Sequence, residues 1–171
     1  MKKLNWRHTD WNARNFVFLL GQEIIGQLSF NSTWNFNAVY TDKETRLKFT
    51  QKGFWDRRVS ITRDGKEIGE IERVFFDKQT LTLITGEKYE LVSNIWGRDL
   101  SWKNSAGETI IKYQQATMSS MGKGTITLTD SLTIEAGKML VTSGLFIRQL
   151  ILKRRTLIVM IFIPILAAFR H

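Results

Sequence analysis

Apolar and polar residues alternate through most of this chain, and the alternation stops near residue 136. Thr80-Leu81-Thr82-Leu83, within the run 80–85, and Thr125-Ile126-Thr127-Leu128-Thr129 put leucine or isoleucine on one face and threonine on the other, the period of a half-buried strand. Runs rich in Val, Ile, Thr, Phe, Trp and Tyr, divided by polar or glycine-containing turns, fall at 14–20, 24–30, 34–40, 45–51, 57–62, 67–73, 80–85, 88–93, 98–103, 109–115, 124–129 and 131–135. From Lys138 the chain reads KMLVTSGLFIRQLILKRR and then TLIVMIFIPILAAFRH, with no polar face. A helix apolar all round is a buried helix. The pattern predicts a mainly β fold: a closed antiparallel barrel of about twelve strands around a hydrophobic C-terminal helix at 138–154. It divides the chain into an N-terminal segment 1–13, a barrel unit 14–155 and an apolar tail 156–171.

Three stretches repeat one plan: FVFLLGQEIIGQLSF (16–30), VSITRDGKEIGEIER (59–73) and LSWKNSAGETIIKYQ (100–114). Each has a strand, a turn ending in glycine (Gly21, Gly65, Gly107), a polar pair and an apolar strand. Gly53-Phe54-Trp55 and Ile95-Trp96-Gly97 precede two of them. Arg63-Asp64-Gly65-Lys66 is the sharpest hairpin signal, because Asp-Gly suits the positive φ angles of a type I′ turn. In the strand that follows, Ile68 and Ile71 are out of phase across Gly69 and Glu70, which predicts a bulge near the glycine.

Helix length bears on where the apolar end goes. Met139 to Leu152 spans about 21 Å, short of the ~30 Å hydrocarbon core, and Arg148 and Gln149 add a cost in lipid. A barrel interior fits it better, with Arg148 reaching out through the mouth and Lys153-Arg154-Arg155 ending the helix in solvent against its dipole. Thr156 to Phe169, containing Pro164, is again about 21 Å as a helix. A short membrane anchor, an interfacial segment, a further strand and a dimer contact all remain open for it.

Charge sharpens this picture. The chain carries a net charge of +9 and no cysteine, so disulfides and thiolate metal sites are excluded. Lys138, Arg148, Lys153, Arg154, Arg155 and Arg170 stand in a C-terminal stretch without a single acid. A basic apolar end points to a membrane surface more than to nucleic acid. The start, MKKLNWRHTD, has no apolar core and does not read as a signal peptide.

Candidate chemistry is sparse. His8 and His171 lie outside the strand series, and no His cluster has metal-ligand spacing. Asp42/Glu44 reads as a turn and Glu67/Glu70/Glu72 as a solvated strand face. Met121-Gly122-Lys123-Gly124 leads into a strand and not a helix, so it is a turn and not a phosphate loop. Trp6, Trp11, Trp34, Trp55, Trp96 and Trp102 read mainly as barrel packing. No catalytic residue, cofactor or metal site is expected. The basic surface candidates are Arg57, Arg58 and Arg63, with Lys52 nearby, together with Lys153, Arg154 and Arg155. Arg57 and Arg58 point to opposite faces if extended, so at most one joins a patch.

Asp64-Gly65-Lys66-Glu67-Ile68-Gly69-Glu70-Ile71, Gly107-Glu108-Thr109-Ile110-Ile111 and Leu140 to Arg155, set among some twelve short strands, resemble the tubby C-terminal superfamily: tubby-like proteins, LURP-one-related proteins and phospholipid scramblases. The likeness covers roughly 14–155 and is one of architecture. It implies a closed barrel threaded by its own C-terminal helix. Tubby-like members bind phosphoinositides through basic surface residues; scramblases are associated with lipid movement and calcium. The proline-rich N-terminus and cysteine cluster of scramblases are missing here, and no tubby lipid-binding residue carries over by position. The expected function is a non-enzymatic module that binds anionic membrane lipid or a protein partner. The alternatives are a membrane-inserted accessory protein anchored by 139–169 with a scramblase-like role, and a nucleic-acid binder. Nucleic acid is not the expected partner. The expected location is cytoplasmic, peripheral or tail-anchored at the inner face of the membrane through 156–169.

Overall fold

A computed structural model describes residues 1–10, 14–32, 37–51, 57–73, 78–93, 99–116 and 122–168; for residue 73 and residues 154–168 it describes the backbone alone. The elements are β1 (Lys2–His8), β2 (Asn15–Leu20), β3 (Glu23–Phe30), β4 (Ala38–Thr41), β5 (Arg46–Gln51), β6 (Arg58–Arg63), β7 (Lys66–Arg73), β8 (Lys78–Leu83), β9 (Lys88–Ser93), β10 (Asp99–Lys103), β11 (Thr109–Gln115), β12 (Lys123–Leu128) and α1 (Ile134–Ala168). Each strand pairs antiparallel with its neighbours in sequence, and β1 closes the ring against β12. The result is a closed twelve-stranded barrel that encloses the first half of α1.

Alternation decides which side faces in. Along β5, Leu47, Phe49 and Gln51 are buried while Arg46 and Lys48 are exposed; β8 follows the same rule, with Leu81 and Leu83 inside and Lys78 exposed. The walls are thus apolar inward and polar outward, the reverse of a barrel whose outer face meets lipid. The three sequence repeats are hairpins β2–β3, β6–β7 and β10–β11, spaced four strands apart round the ring. Each carries a register shift that leaves one isoleucine extra: Ile25, Ile68 and Ile110. Bulges raise local twist and bend the strand, which helps close the ring. The Asp64-Gly65 turn has both φ angles positive, 52° and 79°, as its sequence predicts. The Gly53-Phe54-Trp55 and Ile95-Trp96-Gly97 pieces, Trp11, Trp34, His171 and the start of the 34–40 strand lie outside the described residues; Trp6 and Trp102 are buried in the core.

Three expectations are corrected. Residues 1–13 are not merely a leading segment: β1 supplies the closing strand, with Leu4 and Trp6 buried and Lys2, Lys3, Asn5 and Arg7 exposed. His8 ends that strand and so belongs to the series. The strand expected at 131–135 is instead a turn and the start of α1, where Thr133 caps the helix: its Oγ1 accepts from the Ala136 amide at 3.2 Å and its carbonyl from the Gly137 amide at 2.9 Å. The helix does not end at Arg155; its backbone continues to Ala168.

From Met139 to Leu150 every residue of α1 is buried. The barrel also fixes the helix by its carbonyls. Trp102 Nε1 and the Tyr113 hydroxyl both donate to the Leu140 carbonyl, at 2.9 and 2.7 Å, and the same hydroxyl reaches Val141 O at 3.1 Å. Gly144 lets the Tyr113 ring lie against the helix backbone, where a Cβ would overlap the ring. Phe146 stacks between Phe30 of β3 and Phe49 of β5, with centroids 5.6 and 4.8 Å away. Gly144→Ala is expected to cost about 3 kcal/mol or more through overpacking, despite the better helix propensity of alanine. Tyr113→Phe is expected to cost about 1–2 kcal/mol. Urea unfolding midpoints check both; a stabilised Gly144→Ala variant would contradict the close fit.

Candidate functional site

Helix and barrel meet at two unlike mouths. The near mouth, where α1 begins, is rimmed by the short turns after β2, β4, β6, β8 and β10. Its centre is Lys138, whose Nζ lies 2.9 Å from Asp42 Oδ2 and 3.5 Å from Glu44 Oε2 and donates to Thr45 Oγ1 at 3.2 Å. The Asp42 side chain is 6% exposed. The Glu44 and Thr45 amides donate to its other oxygen at 2.8 and 2.7 Å, and the Tyr40 hydroxyl donates to Oδ2 at 3.0 Å. Burial alone would raise the Asp42 carboxyl. The hydrogen bonds from the Glu44 amide, Lys138, the Thr45 amide and Tyr40 outweigh it and hold the group below its ordinary range. The same pairing raises Lys138, and burial together with Asp42 raises the Tyr40 phenol well above its ordinary value. Asp42 is therefore not part of a solvated turn, as its sequence context predicts, but the tie between β4 and the helix.

On one side of Lys138 a cleft of about 450 Å³ runs between α1 and the strands β1–β4 and β12. A second, of about 340 Å³, lies on the other side against β5–β8. The exposed large apolar side chains among the described residues, Met1, Leu20, Ile24, Ile84 and Ile134, all stand at this end.

The far mouth, where α1 passes Lys153, is basic. Arg7, Arg14, Arg57, Arg58, Lys78 and Lys123 sit at strand ends or flanks on this side, against Asp10, Glu72, Asp99 and Glu90, which pairs with Lys78 at 3.2 Å, among the described residues. Arg148 does not reach out through the mouth. It is 5% exposed, donates to Gln115 Oε1 at 2.7 Å, and lies over the Trp6 ring at 4.9 Å. Its Nε has no hydrogen-bond partner among the described residues. Burial lowers its pKa, but a guanidinium stays charged. The charge acts on His8, which packs edge-on to Phe16 with centroids 4.2 Å apart. Burial first, then Arg148, push the His8 imidazole down to about 4, against a smaller opposing effect of Asp10. Lys153 folds back over the Phe30 ring at 4.5 Å and donates to Ser32 O at 3.2 Å. It is half-buried, and burial, followed by nearby Arg14, lowers its pKa.

The sequence candidates separate accordingly. Arg57 and Arg58 are both exposed at the far mouth, because Arg57 precedes β6 and lies outside the strand whose alternation was expected to part them. Arg63 ends the same strand, about 17 Å away at the near mouth, and its Nη1 donates to Glu135 Oε1 at 2.7 Å. The strand therefore divides the proposed Arg57–Arg58–Arg63 patch between the two ends of the barrel. Lys52 and the side chains of Arg154 and Arg155 lie outside the described residues. Sequence reasoning missed Lys138 and Arg148 as partners of Asp42 and Gln115, since nothing in one dimension couples positions so far apart. Among the described residues no group of three His, Asp or Glu side chains is placed to hold a metal ion, and no helix is long and apolar enough to cross a membrane.

No family profile matches the sequence, and no curated protein matches it. In fold it is similar to a protein from Arabidopsis thaliana known by its X-ray structure, with a TM-score of 0.55 and 9% sequence identity, over 84% of this chain and 91% of that one. At such identity the likeness concerns the fold alone. A closed twelve-stranded antiparallel barrel around a C-terminal helix is the architecture that the sequence resemblance implied.

Two outcomes follow from these sites. Asp42→Asn removes the closer of the two carboxylates that pair with Lys138, and the buried acceptor of the Tyr40, Glu44 and Thr45 donors, and is expected to lose about 2–3 kcal/mol in urea unfolding at pH 7. For His8, the folded pKa near 4 lies below the unfolded value of 6.5. Between those values the unfolded chain binds more protons, so the contribution to stability is complete above about pH 6.5 and is lost as pH falls toward 4. The loss is expected to be on the order of 1–2 kcal/mol, discounted because the ring is only half-buried. A His8→Gln variant should show that much less acid sensitivity over this window. Identical pH profiles for the two chains would refute the assignment.

Proposed function

We propose that this chain is a non-enzymatic tubby-like β-barrel module that attaches to anionic membrane surfaces through its far mouth. The observation that carries the reading is the course of α1. A helix of 35 residues is about 52 Å long, roughly twice the depth that strands of eight residues or fewer can enclose. The part beyond Lys153 therefore extends past the barrel, and its sequence, TLIVMIFIPILAA at 156–168, is apolar. At about 20 Å it is short for a full crossing and suits insertion into one leaflet or a tilted course.

Charge supports the same orientation. The far mouth carries Arg57 and Arg58, and Lys153-Arg154-Arg155 follow where the helix leaves. Lysine and arginine beside an apolar segment favour the cytoplasmic side and anionic headgroups. Arg57, Arg58, Arg154 and Arg155 are assigned the headgroup contacts. Lys153, turned onto Phe30 and Ser32, has the lesser part, and Arg63 belongs to the opposite end. The polar outer wall keeps the barrel itself in water.

Vesicle co-sedimentation tests the proposal. The full chain is expected to pellet with vesicles containing about a third phosphatidylserine and to bind neutral phosphatidylcholine vesicles more weakly. Replacing Arg57 and Arg58 by alanine should weaken anionic binding about thirtyfold at low salt, at ~1 kcal/mol per cation. Ending the chain after Arg155 should leave only salt-sensitive binding. Equal affinity for neutral and anionic vesicles would remove the electrostatic part, and recovery of the full chain in the supernatant of both would remove the whole.

A further inference from the structure

We infer that the larger near-mouth cleft is a binding site for the alkyl chain of an uncharged or zwitterionic amphiphile. It lies at the other end of the barrel from the surface assigned to the membrane, so the two readings stand separately. The walls are mainly aliphatic: Leu4, Leu20, Ile25, Leu128, Ile134 and Val141, with Phe18 at the back. Leu4, Phe18, Leu128 and Val141 are themselves core residues, so the cleft reaches into the barrel interior. Leu20 and Ile134, 43% and 79% exposed, stand at its opening, where an apolar guest would cover them. A volume near 450 Å³ is within the usual range of small-molecule sites.

The charges around the cleft select the head group. Lys43 pairs with Glu23 at 3.3 Å, Lys138 with Asp42 and Glu44, and the N-terminal ammonium with Asp130 at 2.7 Å. Of the charged lining side chains only Lys2 is outside these pairs. A rim so neutralised gives a charged head little to gain, and attraction rests on covering the chain. Each added methylene should then tighten binding about fourfold until the cleft is full. Gly137 supplies the test. It lines the cleft, and a Cβ there would meet only Leu128 Cδ2, at an ordinary 3.8 Å. A larger side chain at this position extends into the cleft while improving helix propensity.

Calorimetric titration of the full chain with n-alkyl maltosides from hexyl to decyl, below their critical micelle concentrations, is the experiment. The expected result is a stepwise rise in affinity with chain length. Gly137→Met should lose at least about tenfold with its melting temperature kept or raised. Leu20→Asp with Ile134→Asp, both at exposed positions, should lose binding likewise and serves if Gly137→Met does not fold. An alkyl sulfate of equal length should bind within about threefold of the maltoside. Affinity independent of chain length, as a site for a peptide side chain would give, overturns the assignment. So does unchanged binding in the folded variants, which would place the alkyl chain on the apolar end of α1, and so does strong preference for the sulfate.

Discussion

The structure depends on mutual enclosure. A helix without a polar face cannot meet water on any side, and a ring of twelve strands cannot close on empty space. Strands about 4.8 Å apart and tilted about 40° close twelve-fold at a radius of about 12 Å. A helix with its side chains has a radius of 5–6 Å, which leaves one layer for inward side chains. Phe30, Phe49 and Phe146 show that layer made from both partners. Where the Tyr113 ring lies against it the helix gives up its side chain, at Gly144, and Tyr113 and Trp102 reach a backbone carbonyl. These two donors are buried, and the Leu140 carbonyl satisfies both. Sliding the helix by one residue would orphan them. Packing and hydrogen bonding thus set the same register.

A fixed register places every charged residue of α1 at a definite depth. Glu135 and Lys138 come to the near mouth, where Arg63, Asp42 and Glu44 meet them. Arg148 comes to rest inside, where an indole face and one glutamine are its partners among the described residues. Leaving a cation this deep is costly; burial first, and this charge second, lower the His8 imidazole beside it. Lys153 arrives at the far rim. Among the described residues, the start of α1 is therefore neutralised by pairs with the wall and lies beside an apolar edge, while the far mouth keeps a surplus of positive charge.

Most of this wall was legible in the sequence, because alternation is a local property. Eleven of the twelve strands, the Asp64-Gly65 turn, the break in phase at Ile68 and the enclosure of the helix from Met139 can all be read from neighbouring residues. Two elements could not. Lys2–His8 alternates correctly, but its outer face is so rich in Lys, Asn and Arg that the run resembles a solvated leader. Ser131 to Glu135 has strand-like composition, yet Thr133 caps a helix there. The two errors cancelled in the count, so the number of strands came out right while the closing strand was misplaced. The site was less legible than the wall. Arg57, Arg58 and Arg63 look like one cluster in sequence, but an extended strand carries its two ends to opposite poles.

Strand direction divides the residues of such a barrel between its two mouths. Every strand runs from one mouth to the other, so residues six apart in sequence serve different ends, while residues four strands apart serve the same one. The bulged isoleucines Ile25, Ile68 and Ile110 all lie near the turns of the near mouth, at repeats of the same hairpin. Bulges at this level bend the wall around the start of α1. Clefts form on both sides of Lys138 because the helix axis fills the centre and the bent wall stands away from it. The far mouth has no such repeat among the described residues, and the helix itself passes through it. In this chain the enclosed helix therefore has two duties that pull on its ends differently: at Thr133 it must be capped and tied to the wall, and beyond Lys153 it must leave the wall altogether.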